Sequence, residues 1–132
     1  MMCIKGFFVF FSFIIFAISI GSCSKNTDTE SPVITVSNPV KFDTLLLLSG
    51  GINIKFSARD NETINEVFVK VTNNAGLPIY AETKAVHSEK FSYNKYFMPA
   101  GISTVTPLIL KVDATDHSGN TASNSIKFYV KP

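Results

Sequence analysis

Apolar and polar residues alternate along most of the chain after Pro32, and turn residues interrupt the alternation at short intervals. A period of two places every second side chain on one face of a β-strand. The clearest apolar rows, taken at every second position, run from Ile52 to Ala58, Val67 to Val71, Leu108 to Ala114 and Ile126 to Val130. No segment has a helical period. The pattern therefore predicts an all-β domain over residues 32–132, with about seven short antiparallel strands in a two-layer sandwich.

Three stretches fit this pattern less well. Leu45 to Leu48 are four consecutive leucines, which predicts either a strand buried on both faces or a segment that packs beneath one end of the fold. The polar stretch Arg59 to Thr63 is predicted as a loop. Lys95 falls in the apolar row from Phe91 to Phe97, so we expect either a shift of register or a lysine whose aliphatic stem lies along the core.

The start of the chain has a different pattern. Lys5 precedes a run without charged residues from Gly6 to Ile20, rich in phenylalanine and isoleucine. This run is shorter than the roughly 20 apolar residues that a membrane-spanning helix needs. A basic residue, an apolar run and the small residues Gly21 and Ser22 are typical of a secretory signal peptide, predicted here as residues 1–22.

Cys23 follows those small residues directly, and an aliphatic residue, Ile20, lies three positions before it. This arrangement resembles the lipobox of bacterial lipoproteins. The resemblance implies that Cys23 becomes the first residue of the mature chain and carries acyl chains that anchor it to a membrane. The alternative is an ordinary cleavage site followed by an incidental cysteine.

Residues 23–31 are predicted as the acylated cysteine and a flexible tether, because Ser24 to Ser31 is polar and lacks apolar periodicity. Eight extended residues span at most about 28 Å. The Cys-Ser-Lys start, followed by Asp28 and Glu30, resembles lipoproteins of Bacteroidota. That resemblance implies a bacterial cell envelope, where we expect the outer membrane, on its periplasmic or its surface face.

Charge and cysteine content exclude several classes. The chain has 12 basic and 10 acidic residues, and one of the basic residues, Lys5, lies in the leader. A near-neutral mature chain gives no electrostatic case for nucleic acid, or for an anionic membrane beyond the lipid itself. With Cys3 removed and Cys23 acylated, no cysteine is left for a disulfide. The domain is therefore predicted to depend on its apolar core.

The end of the chain carries the most specific motif, A-T-D-H-S-G-N-T-A at residues 114–122, followed by a strand pattern from Ile126 to Val130. This run resembles the final hairpin of bacterial immunoglobulin-like and hyalin-repeat domains, and the D-T-E-S-P-V-I stretch at 28–34 resembles their start. Asn124 stands where the hyalin repeat usually has a cysteine, which favours the broader immunoglobulin-like class. The resemblance implies adhesion, binding or spacer roles and no conserved chemistry.

Acidic residues at one end of such a sandwich give a candidate metal site. The start of the first strand, the loop between the second and third strands and the final hairpin loop lie at the same pole. Calcium takes six to eight oxygen ligands. We expect no cofactor, and the one candidate is calcium, whose ligands would be Asp28, Glu30, Asp60, Glu62, Asp113 and Asp116. Without a metal, Asp116 caps the turn by accepting backbone N–H groups, which is the expected role of this residue.

Catalysis has little support in the sequence. His87 and His117 lie in polar contexts without zinc-ligand spacing, and no G-x-S-x-G motif is present. We therefore expect a non-enzymatic protein. Tyrosines on the strands could stack on sugar rings, which gives an alternative function as a glycan-binding accessory lipoprotein of a surface uptake system; they are Tyr80, Tyr93, Tyr96 and Tyr129.

The tether also predicts an orientation. If it enters at the acidic pole, that pole faces the membrane, and the loops Ser37 to Gly51, Asn73 to Pro78 and Met98 to Thr104 face outward. The sequence therefore predicts a lipid-anchored interaction or structural module of the cell envelope, with an envelope protein or a glycan as partner. We expect any partner to bind at the outward loops.

Overall fold

A computed structural model of the chain describes residues 27–47 and 51–132. The predicted signal peptide and Cys23 lie outside the described residues. Within the described residues, no helix is long and apolar enough to span a membrane. The strands are β1 (Val33–Asn38), β2 (Thr44–Leu46), β3 (Ile52–Asn73), β4 (Pro78–Phe97), β5 (Thr106–Asp116) and β6 (Thr121–Lys131).

The long strand β3 belongs to both layers of the fold. Its first half, up to Arg59, pairs with β1 and with the second half of β4. Its second half, from Ile64, pairs with β5 and with the first half of β4. The pairing register shifts between Arg59 and Ile64, where the strand bends from one layer into the other. Beyond β5 the second layer continues through β6 to β2, which pairs with β6 in parallel.

The strand β4 folds back on itself in the same way. The rings of Tyr80 and Phe97 lie 5.2 Å apart, centroid to centroid, although both belong to β4. In a straight strand, residues with this separation in sequence would be about 55 Å apart. The two halves of β4 therefore face each other across the interior, and His87, with φ at 53°, lies at the bend. These pairings form an immunoglobulin-like β-sandwich, which confirms the predicted fold class. The described residues form six strands in place of about seven short ones, because β3 and β4 each serve both layers, and the pairing of β2 with β6 is parallel and not antiparallel.

The core lies between the two layers, and it consists of the predicted apolar rows. The fully buried side chains are drawn from all four rows, and Phe56 stacks on Tyr93 with ring centroids 4.8 Å apart. Ile126 is half-buried, whereas Phe128 and Val130 are fully buried. The alternation of burial along β5 follows the alternation of apolar residues without a break. The period-two pattern therefore identified the core.

Two predictions about the strands were wrong. The stretch Arg59 to Thr63 is not a loop, because β3 runs through it and bends there. The leucines Leu45 to Leu47 are neither buried on both faces nor beneath the fold. Leu45 and Leu47 pack against the core, and Leu46 is 53% exposed, because only one face of β2 is turned to the core and the other is turned to solvent. Leu48 lies outside the described residues.

Lys95 follows the second of its two predicted arrangements. Its neighbours Tyr93 and Phe97 are buried, the lysine is exposed, and no register shift occurs in this part of the β3 and β4 pairing. The Lys95 Nζ lies 5.7 Å from the centroid of the Tyr80 ring and 3.1 Å from Glu82 Oε1. The ammonium group of Lys95 therefore lies beside an aromatic ring and reaches a carboxylate, as expected of a lysine that extends its charge out of an apolar row.

The strands define two ends of the molecule. The near pole contains the start of β1, the bend of β3, the bend of β4 and the turn from His117 to Asn120 between β5 and β6. The far pole contains the connection from β1 to β2, the hairpin turn from Asn74 to Leu77, the connection from Met98 to Val105 and the end of β6. Because the residues before β1 reach the near pole, the far pole lies at the opposite end from the predicted tether.

Candidate metal centre

The turn between β5 and β6 positions the central carboxylate of the near pole. Asp116 ends β5 with 2% of its surface exposed, and its Oδ1 accepts the Asn120 N–H at 2.8 Å. The Asn120 side-chain amide donates to Asp116 Oδ2 at 2.6 Å. Gly119, with φ at 91°, completes the turn. The predicted capping role of Asp116 is therefore present in the structure.

The turn is tied to the bend of β3 and to the residues before β1. The His117 N–H donates to the Thr63 carbonyl oxygen at 2.9 Å. The Asn120 amide also donates to the Asp28 carbonyl oxygen at 3.0 Å, and the Asn61 amide donates to Asp28 Oδ1 at 2.9 Å. Asp28, which lies in the predicted tether, is thus held against the sandwich by two side-chain amides.

These contacts bring three carboxylates together. Asp28, Asp60 and Asp116 each place one oxygen so that the three atoms lie within 4.8 Å of one another. Asp28 Oδ2 and Asp60 Oδ2 are buried atoms without a hydrogen-bond partner. Buried carboxylate oxygens ordinarily have a partner, because leaving them without one is costly. The arrangement offers oxygen ligands, which suit a hard divalent cation such as calcium.

The electrostatics of the three carboxylates are unequal. Burial, and then the charges of Asp116 and Asp28, raise the pKa of Asp60 despite N–H donation from Glu62 and Asn61. Burial also acts to raise the pKa of Asp116, but hydrogen bonds from Asn120, Gly119 and Ser118 outweigh it and hold that pKa below its usual value. The charge on Asp60 is therefore unfavourable without a cation, whereas the turn itself stabilises the charge on Asp116.

The structure does not bring the other three predicted ligands into this cluster. Asp113 lies three positions before Asp116 on β5, so its side chain points to the opposite face, where it pairs with Lys111 at 2.9 Å. Glu30 is exposed, and only its backbone N–H contacts the site, through Asp28 Oδ1 at 3.1 Å. Glu62 is exposed and accepts a long hydrogen bond, 3.4 Å, from Ser118.

Sequence reasoning missed the two asparagines that hold Asp28. Asn120 had a signal, since it follows Gly119 in a turn motif, but that motif predicts a backbone conformation and not an amide that reaches the start of the chain. Asn61 had no such sequence signal apart from its neighbour, the predicted ligand Asp60. Asn124 donates its amide to the Ile34 carbonyl oxygen at 3.2 Å and so links β6 to β1.

A second polar cluster lies between the two halves of β4 and was also missed. Glu82 accepts hydrogen bonds from the hydroxyl groups of Tyr80 and Tyr93, which also contact each other at 2.6 Å. Lys84 and Lys95 pair with the same carboxylate at 2.8 and 3.1 Å. Donation from Lys84, Tyr93 and Tyr80 holds the pKa of Glu82 far below its usual value. Burial and the Glu82 hydrogen bond raise the pKa of Tyr93.

This cluster engages two of the four tyrosines that suggested a glycan-binding face. Tyr93 is buried and Tyr80 is partly buried, and their hydroxyl groups are taken up by Glu82. Tyr96 is 61% exposed. Tyr129 is half-buried with Lys127 Nζ 5.8 Å from its ring centroid. The four tyrosines therefore do not present four free rings.

The class of protein that the fold defines is an all-β sandwich of the immunoglobulin-like kind. Among solved structures, the chain is similar to CopC from Methylosinus trichosporium OB3b, with a TM-score of 0.50 and 11% sequence identity over 77% of this chain and 93% of that one. At this identity the similarity supports the fold alone. Comparisons with protein-family models and with curated proteins find no match.

Proposed function

We propose that the protein is a non-enzymatic interaction or structural module of a bacterial cell envelope, held at a membrane by acyl chains on Cys23. The proposal combines the sequence of the leader with the position of the chain start on the sandwich. The lipobox resemblance supports an anchor at Cys23, five positions before Asp28. The leader and the fold together support a small body attached to a membrane by one end.

The observation that carries the proposal is the docking of Asp28 at the near pole. Asn61 and Asn120 hold its side chain and its carbonyl oxygen. Only residues 24–27 then remain between the anchor and the docked residue, and the five steps from Cys23 to Asp28 span at most about 18 Å in an extended chain. The sandwich is thereby held close to the membrane with its near pole inward and its far pole outward.

Calcium is part of the proposal, with Asp28, Asp60 and Asp116 as ligands. These residues come from the chain start, the bend of β3 and the end of β5. A cation at this place would offset both the burial and the neighbouring carboxylate charges that raise the pKa of Asp60. It would also fasten the tether to the sandwich, because one of its ligands precedes β1. The expected role of the metal is structural.

The anchor is tested by replacing its cysteine. We expect Cys23→Ala to leave the uncleaved precursor without acyl chains, and mass spectrometry of the wild-type amino terminus to show an acylated Cys23. Cys3→Ala is the matched control, since the chain has two cysteines and Cys3 lies in the leader. This variant should be processed and acylated as the wild type is. A wild-type chain released into solution with an unmodified amino terminus would overturn the proposal.

A further inference from the structure

The far pole of the molecule concentrates apolar side chains that face solvent. Nine large apolar residues of the described chain are well exposed, and eight of them lie at the far pole or on the strand ends beside it. They are Val40, Phe42, Leu46, Leu77, Ile79, Tyr96, Met98 and Val105. The ninth, Val33, lies at the start of β1. Scattered apolar residues are ordinary on a surface, but a concentration at one end marks an interaction site.

Phe42 provides a second, independent indication that the exposed apolar residues of the far pole form a binding surface. Its φ is 64°, in the left-handed region that bulky side chains rarely adopt, and its side chain is 61% exposed. Its N–H donates to the Lys127 carbonyl oxygen at 2.7 Å, which fixes that backbone conformation. Burial of the ring does not compensate the strain, because the ring faces solvent. A strained aromatic residue presented to solvent indicates a role outside the fold.

The basic side chains at the far pole indicate the charge that a partner should carry. Lys41, Lys127 and Lys131 lie among the exposed apolar residues, and none of them is in an ion pair within the described residues. Lys41 Nζ lies 5.3 Å from the centroid of the Phe42 ring. Asp43 is the acidic residue of this region, and its carboxylate accepts the Thr44 N–H. A complementary surface is therefore acidic around an apolar centre.

We propose that the far pole is a docking surface for a partner protein whose contact surface is acidic around an apolar centre. The inference rests on the proposed function, which turns this pole away from the anchoring membrane. β5 alone, with 11 residues, extends about 36 Å from the near pole. A second copy docked pole to pole would place lysines against lysines. A partner protein satisfies both the apolar residues and the charge.

The test places a photo-reactive residue, p-benzoylphenylalanine, at position 42 of the full chain in intact cells of the species that produces it. The matched position is Val33, which is as exposed, at 66%, but lies away from the far pole. We expect position 42 to give one defined protein adduct, and position 33 to give none. Peptide sequencing of the adduct should identify an attachment surface with excess Asp and Glu.

Matched substitutions in the chain that carries the cross-linker show whether the surface makes the contact. Val105→Thr removes apolar surface at the far pole, and Val33→Thr makes the same change at the start of β1. We expect the first to lower the adduct several-fold and the second to leave it unchanged. Lys41→Glu together with Lys131→Glu should lower it about tenfold, since each would repel an acidic partner.

Phe42→Asn separates binding from folding. Asparagine tolerates the left-handed conformation, so this variant should melt at or above the wild-type temperature. With the cross-linker moved to position 40, it should nevertheless lose most of the adduct. Equal adducts from positions 33 and 42, a lipid adduct, a self-adduct or no adduct would each overturn the inference. Acylation of Cys23 is measured separately in the same cells by mass spectrometry. A failed docking proposal can therefore be distinguished from a failed anchor proposal.

Discussion

Gly51 shows how one residue holds the far end of the first layer. Its φ is 79°, and a Cβ at this position would lie 2.5 Å from the Phe97 carbonyl oxygen. Gly76 has a similar φ of 81°, but nothing lies within 4 Å of the same added atom. The two glycines therefore share a backbone conformation and differ in the space around it.

We predict that Gly51→Ala lowers the free energy of unfolding by more than about 2 kcal/mol, because it adds a steric clash to the cost of a left-handed alanine. Gly76→Ala should cost only the conformational part, about 1 kcal/mol. Urea unfolding of the two variants measures the difference. Equal losses would show that the contact with Phe97 relaxes without cost.

Single residues also show what the sequence predicts well. Burial along β5 was predicted at every position from Leu108 to Ala114, since period two and side-chain polarity decide it together. The left-handed φ of Phe42 was not predicted, because nothing in the residue type favours it. That conformation depends on the hydrogen bond from the Phe42 N–H to the Lys127 carbonyl oxygen, and Lys127 lies in β6, far from Phe42 in the sequence.

At the scale of elements, the two halves of β4 are joined by Glu82. The first half supplies Tyr80, Glu82 and Lys84, and the second half supplies Tyr93 and Lys95. The pKa of Glu82 is lowered in the folded chain from its ordinary 4.5. A lowered pKa means that the ionised carboxylate stabilises the fold above the ordinary value, and that this contribution is lost as pH falls.

We predict that Glu82→Gln destabilises the protein by about 1 to 3 kcal/mol at neutral pH, the usual loss for a charged hydrogen-bonding group. The difference from wild type should shrink as pH falls below about 4.5, where the wild-type carboxylate becomes protonated on unfolding. Glu89→Gln, at an exposed position of the same strand, should unfold as the wild type does at each pH. A difference in unfolding free energy between wild type and Glu82→Gln that stays constant from pH 7 to pH 3 would contradict a stabilising role of the ionised Glu82.

Element boundaries were harder to predict than element faces. The polar stretch Arg59 to Thr63 has the composition of a loop, yet the chain stays extended there and changes layers. A bend in a long strand exposes the same polar residues as a loop, so composition does not separate the two. The prediction for the leucines of β2 failed because burial on both faces requires a packed layer on each side of the strand, whereas only the face of Leu45 and Leu47 is covered by the core.

At the scale of the whole molecule, the net charge is close to zero, but acidic and basic residues gather at opposite poles. The near pole carries Asp28, Asp60 and Asp116, and the far pole carries Lys41, Lys127 and Lys131. The sequence predicted which three segments meet at the near pole, because sandwich topology brings them together. The sequence did not predict which acidic side chains point into the cluster. Successive side chains of a strand point to opposite faces, so the direction of each acid depends on its exact position in the strand.

Asp60 allows the calcium proposal to be tested by a reversal of stability. Its pKa is raised in the folded chain from its ordinary 3.8, so its charge opposes folding once the pH exceeds that value. Asp60→Asn should therefore melt above the wild type in chelator at pH 7. With calcium the order should invert, because a bound cation at about 100 times its Kd contributes about 2.7 kcal/mol to the wild type alone.

Thermal unfolding of wild type, Asp60→Asn and Glu62→Gln, each in chelator and in millimolar calcium, measures this reversal. Glu62 is an acid near Asp60 that lies outside the cluster, so Glu62→Gln should keep the full calcium response. Since Asp28 precedes β1, calcium should also protect the bond after Thr29 from proteolysis in wild type and not in Asp60→Asn. An unchanged wild-type melting temperature in calcium would leave the three carboxylates as a purely structural feature of the near pole.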